Sequence, residues 1–198
     1  MKKNKFRIYR ILRTLFKWPF MFYYNPKIIN KEYIPKDGTI LIVGNHKHLM
    51  DQFPVIFSTK RVVRYMAKKE YFEGRNAWFF RLVGCIRVDR TIKDETAKSE
   101  AMDVLKGGGA LGLFPEGTRN KTNEFLLPFK FGAVSMAKKN DAYLVPFGIT
   151  GDYKFRSKNL VITFGKPFKV TDLKLEEANE LLRETIGNLM KESKNRKL

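Results

Sequence analysis

Three features are scarce in this chain: cysteine, histidine and long apolar runs. Cys85 is the single cysteine among 198 residues, which excludes an internal disulfide and fits a reducing compartment. The longest unbroken apolar stretch is Trp18–Tyr24, seven residues that include Pro19, whereas a helix that spans a bilayer needs about 20. This stretch also lacks the apolar region and cleavage site of a secretory signal. The sequence therefore predicts neither a transmembrane helix nor a disulfide-stabilised fold.

Two common catalytic signatures are missing as well. Gly107 and Gly112 have the spacing of a phosphate-binding P-loop, but Leu113 and Phe114 stand where its Lys and Ser/Thr must be. None of the five serines lies in a Gly-x-Ser-x-Gly sequence. These absences argue against a P-loop enzyme and against a serine hydrolase of that type.

Acidic residues are too few to balance the basic ones, so the formal charge is +19. Such a charge favours an anionic partner: nucleic acid, membrane headgroups, a phosphorylated substrate or an acidic carrier protein. The imbalance is greatest in residues 1–31, which contain nine basic residues and no acidic one. The start of the chain is therefore a candidate contact with an anionic surface.

Residues 1–24 have the pattern of an amphipathic helix, or of two short ones. Basic and apolar side chains recur there at helical spacing on opposite sides: Lys3, Arg7, Arg10 and Lys17 against Ile8, Leu12, Leu15, Trp18 and Phe22. A basic face opposite an aromatic one is typical of a helix in a membrane interface. The alternative is a helix that packs on the rest of the chain with its basic side chains in water.

From Asn30 onwards, short apolar runs alternate with helical patterns. The expected strands are Thr39–Val43, Arg61–Met66, Cys85–Val88, Ala110–Phe114, Tyr143–Ile149 and Leu160–Phe164. The expected helices are 94–106, Lys130–Lys139 and one that contains Leu175 to Leu189, followed by a frayed basic tail, Lys191–Leu198. This alternation predicts an α/β fold in which a largely parallel or mixed sheet is flanked by helices on both faces.

The only two histidines, His46 and His48, follow the first of these strands. His46 can meet Asp51 if it lies in the turn that leaves the strand and Asp51 lies in the first turn of the next helix. Asp51 would then hold Nδ1–H of His46 and leave the other nitrogen as a general base. His48 competes for this role, because it is three residues from Asp51. A zinc site of both histidines with Asp51 or Glu116 is a further alternative.

A second unusual string, Leu113–Asn120, also lies at the end of an apolar run. In it, Gly117 lets the backbone approach a ligand, Thr118 offers a hydroxyl, and Arg119 offers a planar fork that suits phosphate. Arg90 follows a third strand and is another candidate phosphate ligand. The alternative for each arginine is a solvated surface charge.

With these strings, the chain resembles the glycerolipid acyltransferase family and is most similar to the 1-acylglycerol-3-phosphate acyltransferases. The blocks that carry the resemblance are Asn45–Asp51, Gly84–Arg90, Phe114–Arg119 and Leu144–Phe147, with the Lys-x-Gly turn Lys130–Ala133. One departure is His48, where the family commonly has Ser. His46 and Asp51 match the first block.

The resemblance implies an O-acyltransferase that moves a fatty acyl group from an acyl thioester to a lysophospholipid. The expected donor is coenzyme A or acyl carrier protein, and the expected acceptor is 1-acylglycerol 3-phosphate, giving phosphatidic acid. Glycerol 3-phosphate or another lysolipid is the alternative acceptor. No cofactor and no metal are expected. The resemblance makes His46 the general base and Asp51 its orienting carboxylate, with substrate-binding residues Arg90, Glu116, Gly117, Thr118, Arg119 and Lys130.

The same reading places the protein peripherally on the cytoplasmic side of the cell membrane, bound to its anionic surface. Residues 1–29 are then the membrane-interface helices and residues 30–198 the catalytic domain. An alternative from another class is a basic nucleic-acid-binding module. That alternative leaves His46 and Asp51 without a role, so no nucleic acid partner is expected.

Overall fold

The computed structural model describes residues 6–195, which form a seven-stranded sheet with helices around it. The strands are β1 (Lys27–Ile29), β2 (Ile40–Gly44), β3 (Val63–Lys68), β4 (Ile86–Val88), β5 (Ala110–Leu113), β6 (Tyr143–Thr150) and β7 (Val161–Phe164). Their order in the sheet is β1-β7-β6-β2-β5-β3-β4. β6 and β7 pair antiparallel and the other neighbours pair parallel, so the sheet is mixed.

Helices cover both faces of this sheet, as the alternating pattern predicts. They are α1 (Arg7–Tyr24), α2 (Gln52–Ser58), α3 (Ala77–Leu82), α4 (Glu95–Lys106), α5 (Gly132–Lys139) and α6 (Leu175–Asn195). Successive residues of β2 point to opposite faces. Leu41 and Val43 join the apolar core under α4, α5 and α6, whereas Ile40 and Ile42 join the core on the other face. The α/β prediction is confirmed.

Three parts of the chain differ from the expectation: β1, α3, for which no helix was predicted, and the end of α6. β1 was not predicted, because three residues are too short to show an alternating pattern. The frayed tail predicted from Lys191 is wrong as far as Asn195, because α6 continues to that residue. Ser193 is buried there, and its hydroxyl lies 2.7 Å from both Thr163 Oγ1 and the carbonyl oxygen of Leu189. Residues 196–198 of the predicted tail lie outside the described residues.

The order of the central strands determines where the polar strings meet. β2 lies between β5 and β6 and is parallel to both, with Val43 opposite Leu113 and Gly44 opposite Phe147. Segments that leave β2 and β5 therefore emerge at the same edge of the sheet. The carboxyl edge of parallel strands is the usual place for a site in an α/β fold.

One side of α1 is anchored in the core. Phe6, Tyr9 and Phe20 are buried, and the backbone N–H of Val63 donates to the hydroxyl of Tyr9 at 3.2 Å. The ring of Phe20 contacts the ring of Phe57 in α2, with 5.3 Å between centroids. The amphipathic helix predicted within residues 1–24 is thus present from Arg7, while residues 1–5 lie outside the described part.

The outer side of α1 carries a continuous stripe of exposed apolar side chains: Ile8, Ile11, Leu15, Trp18 and Phe22. Their spacing of three and four residues places them along one line of the helix. None of the helices within residues 6–195 is both long enough and apolar enough to span a bilayer. In the structure, α1 packs on the sheet domain and β1 pairs with β7. The predicted domain boundary between residues 29 and 30 stays a prediction.

Candidate active site

His46 and Asp51 form the hydrogen-bonded pair that their spacing predicts. His46 follows β2, Asp51 directly precedes α2, and His46 Nδ1 lies 2.8 Å from Asp51 Oδ2. The same oxygen accepts hydrogen bonds from the backbone N–H groups of Lys47 at 2.7 Å and His48 at 2.8 Å. Asp51 is completely buried, so these donors compensate a carboxylate that water does not reach. With Nδ1 committed to Asp51, Nε2 is the ring nitrogen available for proton transfer.

The loop after β5 holds the backbone of His46 on both sides. Glu116 Oε1 accepts from the His46 N–H at 2.7 Å, and the His46 carbonyl accepts from the Asn120 N–H at 2.7 Å. Glu116 Oε2 accepts from the N–H of Leu127 at 3.0 Å. Burial raises the pKa of Glu116, while the hydrogen bonds from His46 and Leu127 oppose the rise. Glu116 therefore links the loop that follows β5 to the loop between β2 and α2.

Two further contacts fix the His46 segment. The ring of Phe114 stacks on the imidazole of His46, with centroids 4.0 Å apart and planes 11° from parallel. The buried amide of Asn45 pairs with the backbone of Ile149 in β6, accepting at 2.7 Å and donating at 3.0 Å. The Asn45 side chain thus extends the hydrogen bonding between β2 and β6 and holds the start of the turn that carries His46.

His48 is engaged differently from His46. Its ring stacks on Tyr153, with centroids 4.4 Å apart, and its Nδ1 accepts from the Met50 N–H at 3.3 Å. Its contact with Asp51 is through its backbone N–H. The geometry therefore favours His46 over His48 as the partner of Asp51. Among residues 6–195, no group of three or more His, Cys, Asp or Glu is arranged to hold a metal ion.

A cavity of about 640 Å³ opens in front of His46. Every charged side chain that lines it is basic: Arg13, Lys68, Arg90, Arg119 and Lys121. Most of its remaining wall is apolar or aromatic and comes from α1, α2, α3 and β3, including Leu12, Phe16, Phe53, Ile56, Phe57, Met66, Phe79 and Phe80. Such a wall suits a ligand with an anionic group and a long hydrocarbon part.

The structure divides the predicted substrate-binding residues into two groups. Arg90, Thr118 and Arg119 line the cavity together with His46. Lys130 passes over Gly117 instead: its Nζ lies 3.0 Å from where a Cβ of Gly117 would stand, and Gly117 has a φ of +70°. Glu116 spends both carboxylate oxygens on backbone N–H groups, as described above. Substrate contacts of Glu116, Gly117 and Lys130 stay predictions.

Arg90 lies in a turn that is stabilised by the carboxylate of the preceding residue, Asp89. Lys69 Nζ lies 2.7 Å from Asp89 Oδ2, and the N–H of Thr91 donates to the other oxygen at 2.9 Å. These bonds hold the pKa of Asp89 well below its usual range. Asp94 in turn accepts from the Asp89 N–H at 2.8 Å. The turn that presents Arg90 is thus held by ionised side chains.

Sequence reasoning missed the aromatic wall of the cavity and the bracing role of Asn45. The wall draws single residues from α1, α2 and α3, and a periodic pattern does not reveal which helices meet around a space. Phe79 and Phe80 lie in an aromatic run with Trp78, which is the one local signal that could have pointed to α3.

Comparison with known proteins agrees with this geometry. The profile of the family described as Acyltransferase matches residues 25–150, which include His46, Asp51 and every residue that lines the cavity except those from α1. A 1-acyl-sn-glycerol-3-phosphate acyltransferase of Bacillus subtilis is 29% identical over 181 residues, covering 86% of this chain and 88% of that protein. One of Borreliella burgdorferi is 30% identical over 141 residues, covering 70% of this chain and 56% of that protein.

A solved structure shares the fold. The 1-acyl-sn-glycerophosphate acyltransferase PlsC of Thermotoga maritima superposes with a TM-score of 0.83 and 23% sequence identity, covering all of this chain and 86% of that one. Its likeness supports the mixed sheet and the arrangement of the helices. Since the family profile matches well over half of the residues, the protein is an enzyme of the acyltransferase family.

Proposed function

We propose that this enzyme transfers a fatty acyl group from an acyl thioester to the free hydroxyl of 1-acylglycerol 3-phosphate, giving phosphatidic acid. The observation that carries the proposal is that one cavity joins the His46 imidazole to basic side chains and an apolar wall. The acceptor has the matching parts: a hydroxyl to activate, a phosphate and an acyl chain. The names of the related Bacillus and Borreliella proteins support the same acceptor.

In the proposed mechanism, Nε2 of His46 takes the proton of the acceptor hydroxyl as its oxygen attacks the thioester carbonyl carbon. Asp51, bonded to Nδ1 at 2.8 Å, holds the imidazole orientation and stabilises the imidazolium that forms. The tetrahedral intermediate then expels the thiolate, which takes the proton from the imidazolium. The products are the ester and a free thiol, and His46 returns to its neutral form.

Basic side chains at the cavity would bind the acceptor phosphate. Arg119 and Arg90 offer planar guanidinium groups, and the hydroxyl of Thr118 lies in the same loop as Arg119. No acidic side chain lines the cavity within the described residues, so nothing there repels the phosphate. Glu116 supports the reaction indirectly, by fixing the backbone from which His46 projects.

We further propose that the enzyme binds the cytoplasmic surface of an anionic membrane through α1. The exposed stripe from Ile8 to Phe22 provides apolar area, and Arg7 and Arg10 provide positive charge beside it. Each basic residue near such a surface contributes about 1 kcal/mol. Leu12 and Phe16 of the same helix line the cavity, so a docked α1 would bring the cavity to the layer that holds the lipid acceptor.

A direct assay combines the purified protein with radiolabelled acyl thioester and acceptors in anionic vesicles. Donors are acyl coenzyme A and acyl carrier protein, and acceptors are 1-acylglycerol 3-phosphate, glycerol 3-phosphate and a lysophosphatidylcholine. We expect labelled phosphatidic acid with the first acceptor and much slower transfer to the others. Absence of transfer to 1-acylglycerol 3-phosphate from either donor would overturn the proposal. A salt titration against duplex DNA tests the nucleic-acid alternative, for which we expect no specific complex.

A further inference from the structure

Three buried polar atoms beside His46 have no hydrogen-bond partner within residues 6–195: Asp51 Oδ1, the Tyr65 hydroxyl and the Tyr153 hydroxyl. Buried polar groups in folded proteins are almost always paired. Burial raises the pKa of both phenols, and the charge of Asp51 raises each of them further. Of the two phenols, only Tyr153 has the Asp51 side chain within hydrogen-bonding reach, so its hydroxyl and the free oxygen of Asp51 are neighbours.

Tyr153 is held against this place by its neighbours. It lies in the loop after β6, its ring stacks on His48 at 4.4 Å between centroids, and Tyr24 of α1 meets it edge-on at 5.5 Å. Tyr65 differs, because it lines the substrate cavity and its ring lies over Phe114 at 5.7 Å between centroids. Tyr153 thus packs against His48 and α1, while Tyr65 belongs to the cavity wall.

We propose that Tyr153 is a positioning residue, whose hydroxyl donates a hydrogen bond to Oδ1 of Asp51 and thereby fixes the carboxylate that orients His46. This inference rests on the proposed acyltransferase reaction for its effect on rate. Oδ2 of Asp51 is already held by His46 Nδ1 and two backbone N–H groups. One held oxygen leaves the carboxylate plane able to turn about its bond to the chain, whereas a donor at each oxygen fixes it.

The raised pKa makes Tyr153 a constant donor. Burial raises the pKa of Tyr153 far above that of an ordinary phenol, and Asp51 adds to the rise. The hydroxyl therefore keeps its proton at neutral and moderately alkaline pH. The titratable groups that face it are Tyr24 from α1, Tyr65 from β3, and His48 and Asp51 from the loop between β2 and α2.

The test replaces Tyr153 by Phe, which removes the hydroxyl and keeps the ring that stacks on His48. Tyr143→Phe is the matched control, because Tyr143 is at the opposite end of β6 and is half-exposed beside Lys169. We expect Tyr153→Phe to lower kcat about tenfold, the value of one hydrogen bond to a charged group, with both KM values within about twofold. The control should match the parent protein.

A double-mutant cycle shows whether Tyr153 acts through Asp51. In an Asp51→Asn background, Tyr153→Phe should have almost no further effect on kcat. An equal loss in both backgrounds, an unchanged kcat, or a loss confined to KM would overturn the proposal, since packing or substrate contact would then explain it.

Proton NMR gives a readout that does not depend on turnover. The downfield Nδ1–H signal of His46, bonded to Asp51, should shift in Tyr153→Phe and stay in place in Tyr143→Phe. A signal that is unchanged in Tyr153→Phe would overturn the positioning role. If the parent protein transferred no acyl group, the proposed reaction would fail, while this signal would still decide whether Tyr153 orients the pair.

Discussion

Replacing Glu116 by Gln removes one hydrogen-bond acceptor from the framework that holds His46. The two carboxylate oxygens accept from the N–H of His46 at 2.7 Å and from the N–H of Leu127 at 3.0 Å. Glutamine keeps one oxygen and puts an NH₂ group at the other position. One of the two backbone N–H groups therefore loses its partner and faces another donor.

The magnitude follows from burial. A hydrogen bond to a charged acceptor contributes about 1.5–3 kcal/mol to stability, and most of this is lost when the buried donor is left unpaired. Because burial raises the pKa of Glu116, a neutral side chain is easier to bury there, which offsets part of the loss. We expect the free energy of unfolding to fall by about 1–2 kcal/mol. A shift of His46 by about 1 Å would lower kcat about 100-fold.

The assay is steady-state acyl transfer combined with urea unfolding of the same preparations. Glu124→Gln is the control, because Glu124 lies in the same loop and is exposed. Glu116→Gln should lose both stability and kcat and keep its KM for 1-acylglycerol 3-phosphate, whereas the control should lose neither. A raised KM with unchanged stability would refute the framework role and show that Glu116 contacts the acceptor.

Three further predictions concern the acceptor, the membrane and alkaline stability. Arg119→Ala should raise KM for the phosphorylated acceptor about tenfold with thioester KM unchanged, and Arg119→Lys should not rescue it; equal loss on a phosphate-free acceptor would contradict this. Leu15→Ser with Trp18→Ser should reduce sedimentation with anionic vesicles while Leu181→Ser, an exposed change on α6, does not; activity on a soluble short-chain acceptor should survive. Burial raises the pKa of Tyr9 from 10.0 to about 12, so the folded state prefers the neutral phenol. The stability that Tyr9 contributes to the folded state is complete below pH 10 and is lost as pH rises towards 12. Phe cannot ionise, so urea midpoints measured from pH 9 to 11.5 should fall less steeply in Tyr9→Phe.

Local features of the fold were readable from the sequence. The central strands and α4 to α6 lie within a few residues of their predicted positions, because each is marked by its own apolar pattern. The contact between His46 and Asp51 was also predictable, since a strand end and the next helix start determine it within five residues. β1 escaped prediction because it pairs with β7, whose first residue, Val161, lies 134 positions beyond Lys27.

Non-local roles were not readable. The bond between Glu116 and the His46 N–H spans 70 residues of chain, and no motif states which way a side chain turns. The predicted contact of Glu116 with the acceptor stays a prediction. The amphipathic pattern of α1 predicted two faces, whereas the helix has three. Tyr9 and Phe20 are buried, Phe16 lines the cavity and Trp18 is exposed. Which apolar residue serves which surface depends on the neighbouring elements.

The central claim is that His46, oriented by Asp51, is the general base. The most direct measurement is the rate of phosphatidic acid formation by His46→Ala beside His48→Ser, each with its folded state verified by circular dichroism. Loss of a general base lowers the rate about 10²–10⁴-fold, so His46→Ala should fall by that factor while His48→Ser stays within a few-fold of the parent protein. Equal inactivity of the two folded variants, or a His46→Ala rate above about a tenth of the parent value, would contradict the account.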